Sequence, residues 1–453
     1  MPKLVLLGTL LTIGVPALVA CGGGNAAGGS GGANPSSAGA SSATGGSNAV
    51  GQAGQSDSGG SSATSGGANA GAGANSGAGA NMGDAGSLSR AGMGGGSAGT
   101  GSAGAPSGPP GNPDGSCSAG IPAAGKPADT STPTTVVGTG TAESCTFSAL
   151  NTAITKGGIV TFKCGSAPVK IAVTATLNVP SDRNTVIDGG NQVTLDGGGA
   201  VQILRFDSPD FRANDNGLIL QHITLQNGKT TPMAAIPLAD PPCSQGFNDG
   251  EGGALYVRDG ALTVIDAVFT NNQGAPLGPD TGGGAIYILG SKRGALIVGS
   301  TFTNNSASNG GGVGALFSEL DIYNSVFTAN QATGHDANNN EPSKCAAMNN
   351  GQNETGSGGN GGPIYSDGAS VNVTLCGDKI TGNAAGVKGF GGGLFFTSND
   401  FGGTLSITDT TMTSNTGGSW TSVKSGSVMN AGTAVGTNAK SITITNSVLQ
   451  GVP

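Results

Sequence analysis

Charge is scarce in this chain. Only 10% of its 453 residues are Asp, Glu, Lys or Arg, aromatic residues make up 4%, and there are two His and one Trp. So thin a supply fits neither an ordinary helical enzyme nor a membrane bundle. Basic residues do not cluster and the net charge is −8, so nucleic-acid binding has no electrostatic basis. None of the seven cysteines forms a Cys-x-x-Cys pair, which argues against a zinc site. Long apolar runs are missing too. The stretch Leu4 to Val15 is too short to span a bilayer comfortably. What abounds is glycine, at 88 residues.

Lys3 followed by that apolar stretch reads as an export signal over residues 1–20, to be set apart from the fold. The signal ends in Leu18-Val19-Ala20-Cys21, which resembles the lipobox of bacterial lipoproteins. The resemblance implies cleavage before Cys21, a lipid on its sulfur and an acyl group on its new amine, giving a stable membrane anchor. Gly22 follows, with no Asp to signal inner-membrane retention, so the expected address is the outer membrane. Residues 21–116 are then the lipidated Cys and a Gly/Ala/Ser/Asn-rich tether. The tether has no aromatic residue and only Asp57, Asp84, Arg90 and Asp114 charged. Such a segment cannot bury enough apolar area to offset its ordering entropy. Disordered, it would span roughly 55 Å end to end.

The remainder, 117–453, is repetitive. Gly252-Gly253-Ala254-Leu255-Tyr256 recurs as Gly283-Gly284-Ala285-Ile286-Tyr287, as a degenerate Val313-Gly314-Ala315-Leu316-Phe317, as Gly361-Gly362-Pro363-Ile364-Tyr365 and as Gly391-Gly392-Gly393-Leu394-Phe395. The spacings are 31, 30, 48 and 30 residues. A second motif follows each: Phe269-Thr-Asn-Asn272, Phe302-Thr-Asn-Asn305, Phe327-Thr-Ala-Asn330, Ile380-Thr-Gly-Asn383 and Met412-Thr-Ser-Asn415. Alternating stretches such as Leu262-Thr-Val264 and Leu405-Ser-Ile407 lie between the two and read as half-buried strands. About three short strands per repeat, with no long helix, imply one coil of a parallel β-helix per repeat. Leu255, Ile286, Leu316, Ile364 and Leu394 are expected to stack as one inward file, and Phe269, Phe302, Phe327, Ile380 and Met412 as another. The Asn of each second motif should sit at a corner, accept left-handed backbone and bond to its equivalent one coil on. Phe147, Leu150, Ala153 and Ile154 make one helical stripe closed by Gly157-Gly158. A short helix over about 146–156 would cover the first coil.

These motifs resemble the chlamydial polymorphic outer-membrane protein repeat, with its GGA-[ILV] and Phe-x-x-Asn hallmarks, and the wider pectate-lyase-like superfamily. The resemblance implies an all-β, single-stranded right-handed parallel β-helix solenoid with a short N-terminal capping helix, preceded by a disordered linker. No segment before Pro453 matches the C-terminal barrel of the chlamydial proteins, so the lipid at Cys21 is expected to replace it as anchor.

Six cysteines remain for an exported chain, and disulfides are the default. Cys145 precedes the helix and Cys164 ends the next strand, so a bridge between them would staple the cap. Cys117, Cys243, Cys345 and Cys376 allow three connectivities, and the sequence does not choose among them. Cys243 and Cys345 lie in two long loops that share one corner and would form a wall if joined.

The loops at that corner (228–251, 273–282, 306–312, 331–360 and 384–390) define the expected ligand edge. They carry the binding candidates Asp249, Glu251, Asp280, His335, Asp336 and Glu341. Such carboxylates can hold Ca²⁺ or accept sugar hydroxyls, although solvated loop charge is the plainer reading. Two catalytic signatures are incomplete. Gly334-His335-Asp336 lacks the third residue and paired aspartates of polygalacturonases. Arg205-Phe-Asp-Ser-Pro209-Asp-Phe-Arg212 has its first Arg two residues too far from Pro209 for a pectate lyase. His222 falls in a strand-like run. No catalytic residue and no cofactor beyond Ca²⁺ is expected.

The resulting expectation is a lipid-anchored envelope module that binds glycans or another cell surface without catalysis. A polysaccharide lyase or glycoside hydrolase is the alternative, and a structural envelope spacer the third reading. Replacing Cys21→Ser is expected to abolish incorporation of labelled fatty acid and to release the chain from the membrane fraction. Undiminished labelling of the variant would refute the anchor.

Overall fold

The computed structural model describes residues 110–230, 250–335, 358–417 and 434–450. Cys21, Cys243, Cys345, Asp249, Asp336 and Glu341 lie outside these residues, as do the signal and most of the tether.

The chain winds through a parallel β-solenoid in which each coil contributes one strand to each of three sheets. Among the described residues sheet I has eight strands: Leu177–Val179, Leu204–Asp207, Leu255–Arg258, Ile286–Leu289, Val313–Leu316, Ile364–Gly368, Leu394–Ser398 and Val435–Thr437. Sheet II takes the following strand of each coil, for example Ala261–Ile265, Ala295–Val298, Leu320–Tyr323 and Val373–Cys376. Sheet III takes the third, for example Val268–Thr270, Thr301–Thr303, Val326–Thr328 and Lys379–Thr381. Two long strands, Thr185–Asp196 and Gly217–Gln226, bend round the corner and fuse sheets II and III. Every named pairing is parallel and joins equivalent positions of successive coils, so side chains stack in files rather than alternating across a seam.

Phe269, Phe302 and Phe327 are fully buried on sheet III, with ring centroids 4.9 and 4.6 Å apart and nearly parallel planes. Leu225 lies on one side of this file and Ile380 and Met412 on the other. Burying one such side chain contributes about 1.5–3 kcal/mol. The inward file of sheet I is Leu204, Leu255, Ile286, Val313, Ile364, Leu394 and Val435.

That file corrects one expectation. Ile286 pairs with Val313, not with Leu316, so the glycine motif of this coil is Gly310-Gly311-Gly312. Leu316 sits three residues further on. An odd shift along a strand reverses the face, and Leu316 packs on the outside with Tyr256, Tyr287 and Leu289.

The two glycines of each pair do different work. The first is left-handed: Gly252, Gly283, Gly310, Gly361 and Gly391 have φ between 52° and 67°. The second is a point of contact across the coil. A Cβ on Gly253 would lie 2.5 Å from the carbonyl oxygens of Gln273 and Gly284, closer than real Cβ atoms come.

The corner after sheet III is held by a ladder of buried asparagines, Asn272, Asn305, Asn330, Asn383 and Asn415. In Asn305 the backbone N–H and the side-chain Nδ2 both donate to Asn330 Oδ1, at 3.1 and 2.9 Å. Its Nδ2 also donates to the Phe269 carbonyl at 3.0 Å. Asn330 makes the same bonds to Asn383 and Phe302, and Asn383 to Asn415 and Phe327. The left-handed residue is the one before each ladder member, namely Asn271, Asn304, Ala329, Gly382 and Ser414, not the ladder asparagine itself. The ladder residue keeps its side chain aimed along the stack because its neighbour takes the turn.

Helix α1 (Phe147–Lys156) starts at Thr146, whose hydroxyl accepts from the Ala149 N–H, and ends at Gly157 with φ 69°. Leu150, Ala153 and Ile154 are buried against the first strand of sheet I and against Thr135–Val137. The latter strand, unforeseen in the sequence, adds in parallel to Gly158–Phe162. Disulfides join Cys145 to Cys164 and Cys117 to Cys376. Residues 111–116, placed in the tether by composition, pack on the solenoid instead: Gly111 is buried and its N–H donates to Thr301 Oγ1 at 2.8 Å. A peptide N–H that finds a fixed acceptor orders its segment whatever the composition.

Asn330→Ala removes an acceptor serving two donors of Asn305 and a donor serving Phe302 and Asn383. It is expected to cost about 2–4 kcal/mol in urea denaturation. A loss under about 0.5 kcal/mol, within the range of a neutral surface change, would mean that the ladder does not hold the coils together.

Candidate functional site

The outward positions of the three sheets differ in chemistry. On sheet III they form an unbroken file of Thr270, Thr303, Thr328, Thr381 and Thr413. On sheet I one outward file reads Arg205, Tyr256, Tyr287, Gly314, Tyr365 and Phe395, and the next reads Asp207, Arg258, Leu289, Leu316, Asp367 and Thr397. Tyr256 stacks on Tyr287 at 6.4 Å, and Tyr365 on Phe395 at 5.7 Å. The guanidinium of Arg205 lies 4.4 Å from the Tyr256 ring centroid, within the range of cation–π attraction. Gly314 breaks the file because a Cβ there would meet the Tyr287 ring at 2.6 Å.

This outer face is buried, which an outer sheet face need not be. Tyr287 and Tyr365 have no exposed surface. Part of the cover is the loop 273–282, where the Asp280 carbonyl accepts the Tyr287 hydroxyl at 2.6 Å. Tyr365 donates to Asp367 Oδ2 at 3.0 Å. Burial, with the charges of Glu251 and Asp280 behind it, pushes the Tyr287 phenol far up. Burial likewise raises Asp367 to about 7, against the bond from Tyr365. The face thus couples tyrosines to carboxylates, one of which holds a proton near neutrality.

Of the residues singled out from sequence, Glu251 and Asp280 come together around Tyr287, both buried. The Glu251 carbonyl also accepts from Gln202 Nε2 at 2.9 Å. His335 is exposed at the end of its described segment. Asp367 was missed. Its signal was present in the parity of Ile364-Tyr365-Ser366-Asp367, which puts Tyr365 and Asp367 on the same outward face as Tyr256 and Tyr287.

The edge between sheets I and II carries the exposed aromatics. Phe211 is 53% and Phe401 51% exposed. Phe211 meets Phe317 edge to face at 5.7 Å. The segment 208–216 is held there by Asp259, whose carboxylate accepts the Ala213 N–H at 2.7 Å and the Ser208 hydroxyl at 3.1 Å. Arg212 donates to the carbonyls of Phe317 and Ala369, bracing two coils. Arg205 pairs with Asp207 at 2.8 Å. These two arginines lie on separate surfaces and do not converge as a lyase pair would.

At the corner between sheets II and III, His222 Nδ1 lies 3.0 Å from Asp188 Oδ1, and its Nε2 lies 3.8 Å from Asp266 Oδ2. Asp188 and Asp196 each accept the N–H two residues on, from Gly190 and Gly198, as turn residues do. Among the described residues no group of three or more His, Cys, Asp or Glu is arranged to hold a metal ion.

No family model, curated protein or solved structure matches the chain.

Asp367 and Asp378 are both fully buried, and burial raises them to about 7 and about 8 from an ordinary 3.8. Between pH 4 and 7 the folded chain keeps protons that the unfolded chain has released. Stability is therefore full below the unfolded pKa and falls as pH climbs to the folded value. Asp367→Asn is expected to flatten this fall in urea midpoints measured from pH 4 to 8. An unchanged slope would show that the carboxyl is not buried as described.

Proposed function

We propose that this chain is a lipid-anchored cell-envelope protein of the outer membrane. Its solenoid is a right-handed, pectate-lyase-like β-helix similar to chlamydial polymorphic outer-membrane protein repeats, and it serves as a non-catalytic adhesion or glycan-binding module. Cys21 carries the anchor, and the partner is a polysaccharide or another cell surface. The observation that supports this most is the set of aromatics along one edge, the exposed Phe211 and Phe401 and the half-buried Phe317 that Phe211 meets, because sugar rings present an apolar face that stacks on aromatic side chains. The neighbouring carboxylates of Glu251, Asp280 and Asp367 are buried, so they favour shaping the face over meeting substrate.

One observation favours the second reading, a polysaccharide lyase or glycoside hydrolase. Asp367, raised to about 7 and bonded to Tyr365, has the proton affinity that glycosidic general acids use.

The test is a glycan array with the full mature chain, run with and without Ca²⁺. Binding without cleavage is expected, and the double change Phe211→Ala, Phe317→Ala should weaken it tenfold or more, about 1.4 kcal/mol. Release of shortened sugars that is lost in Asp367→Asn would replace this reading with the second. A dependence on Ca²⁺ would add that ion to the site.

A further inference from the structure

The segment 111–134 runs along the corner between sheets II and III, and its attachments do not follow chain order. Gly111 and Asn112 bond to Thr301 and to the Asn324 carbonyl, and Asn112 Nδ2 reaches the Gly377 carbonyl at 2.9 Å. Cys117 is bonded covalently to Cys376, and the Ser118 N–H donates to Asp409 Oδ2 at 2.7 Å. The chain then turns back along the stack. Gly125 packs so closely on Val298 that a Cβ would lie 2.9 Å from it. Ala128 exchanges two hydrogen bonds with the Gln221 side chain, at 2.8 and 3.1 Å. Thr130 donates to Asp188 at 2.9 Å, and Thr134 bonds to Ile159 at the first coil.

Beneath this strap the outward file of sheet II is apolar, with Ile265, Val298, Tyr323 and Cys376 in register. Each is at most 9% exposed. Cys117, Val298, Tyr323 and Cys376 form one buried cluster, with Leu296 packed against it. The strap therefore covers a stripe that would otherwise face water.

We propose that this segment is a covalently latched strap. It delivers tension arriving from the N-terminal side of residue 110 into the coil containing Cys376, leaves helix α1 unloaded, and keeps the apolar stripe of sheet II closed. The geometry carries the argument. A pull on residue 110 first meets the few bonds of Gly111 and Asn112 and then a covalent bond. Everything from Ser118 to Thr134 lies behind that bond and feels no peeling force. Without it, the remaining contacts would load one after another, from Ser118 toward the cap, and each is one or two hydrogen bonds or a small packing contact. Only the direction of the load rests on the anchor proposed above. The latch itself does not.

The test compares the full chain with Cys117→Ser, Cys376→Ser by pulling on both termini of single molecules and by limited digestion with a protease that cuts on the amino side of lysine, since Pro127 blocks trypsin after Lys126. In the variant, a first low-force step is expected to release the strap, about 24 residues and up to about 80 Å. Cleavage at Lys126, which is exposed in the strap, should accelerate tenfold or more while cleavage at the exposed Lys388 stays constant. Gln221→Ala, which removes the Ala128 clamp but not the latch, should change Lys126 cleavage far less. Equal protection of Lys126 in wild type and double variant overturns the proposal. So does equal acceleration at Lys126 and Lys388, which would make the disulfide a global staple. Neither readout requires a lipid or a glycan, so failure here is separable from failure of the proposed function.

Discussion

A solenoid turns three times per coil, and each corner strands backbone N–H and C=O groups inside the stack. The asparagine ladder resolves that constraint. Asn305 shows the solution most fully. Its Oδ1 accepts two bonds from Asn272, and its two amide hydrogens go to Asn330 Oδ1 and the Phe269 carbonyl. A buried primary amide can make four such bonds only if its neighbours stand directly above and below. The same residue that satisfies the corner therefore also sets the register of the coils. The phenylalanine file beside it and the close approach at Gly253 both depend on that register.

A second polar ladder does similar work at the corner between sheets II and III, with a different cast. Ser300, Ser325, Asp378, Thr410 and Ser447 each accept a backbone N–H from the neighbouring coil. Here one position is a carboxyl group, and its burial raises it to about 8. Two corners of the same coil thus meet the same requirement, one with a chemistry indifferent to pH and the other with a titratable member. The inward files are uniform because all coils share one interior. The outward files are free to diverge, and they do. Threonines coat sheet III, the strap covers part of sheet II, and tyrosines with carboxylates occupy sheet I.

The inward pattern was legible in the residues. Phe269, Phe302 and Phe327 announce themselves by spacing, and so do the asparagines three positions on, because a stacked coil repeats its demands at every turn. Where the repeat loosens, legibility fails. The triple glycine at Gly310 to Gly312 offers two alignments, and only the pairing of Ile286 with Val313 distinguishes them. The candidate site was legible in part. Glu251 and Asp280 lie in loops that the repeat spacing exposes, whereas Asp367 hides within a strand and acquires its character from what covers it. Phe211 sits in an irregular turn with no repeat to point to it.

The sequence by itself determined the coil, its three-strand rhythm, its glycine and asparagine corners and its capping helix, because these are local or recur at fixed intervals. The tertiary structure alone decided which cysteine meets Cys117, which outward face is buried, and that residues 111–134 fold back over several coils. Each of these joins positions far apart in the chain through contacts made once. A contact made once leaves no period to read, and only the path of the chain in space can bring its partners together.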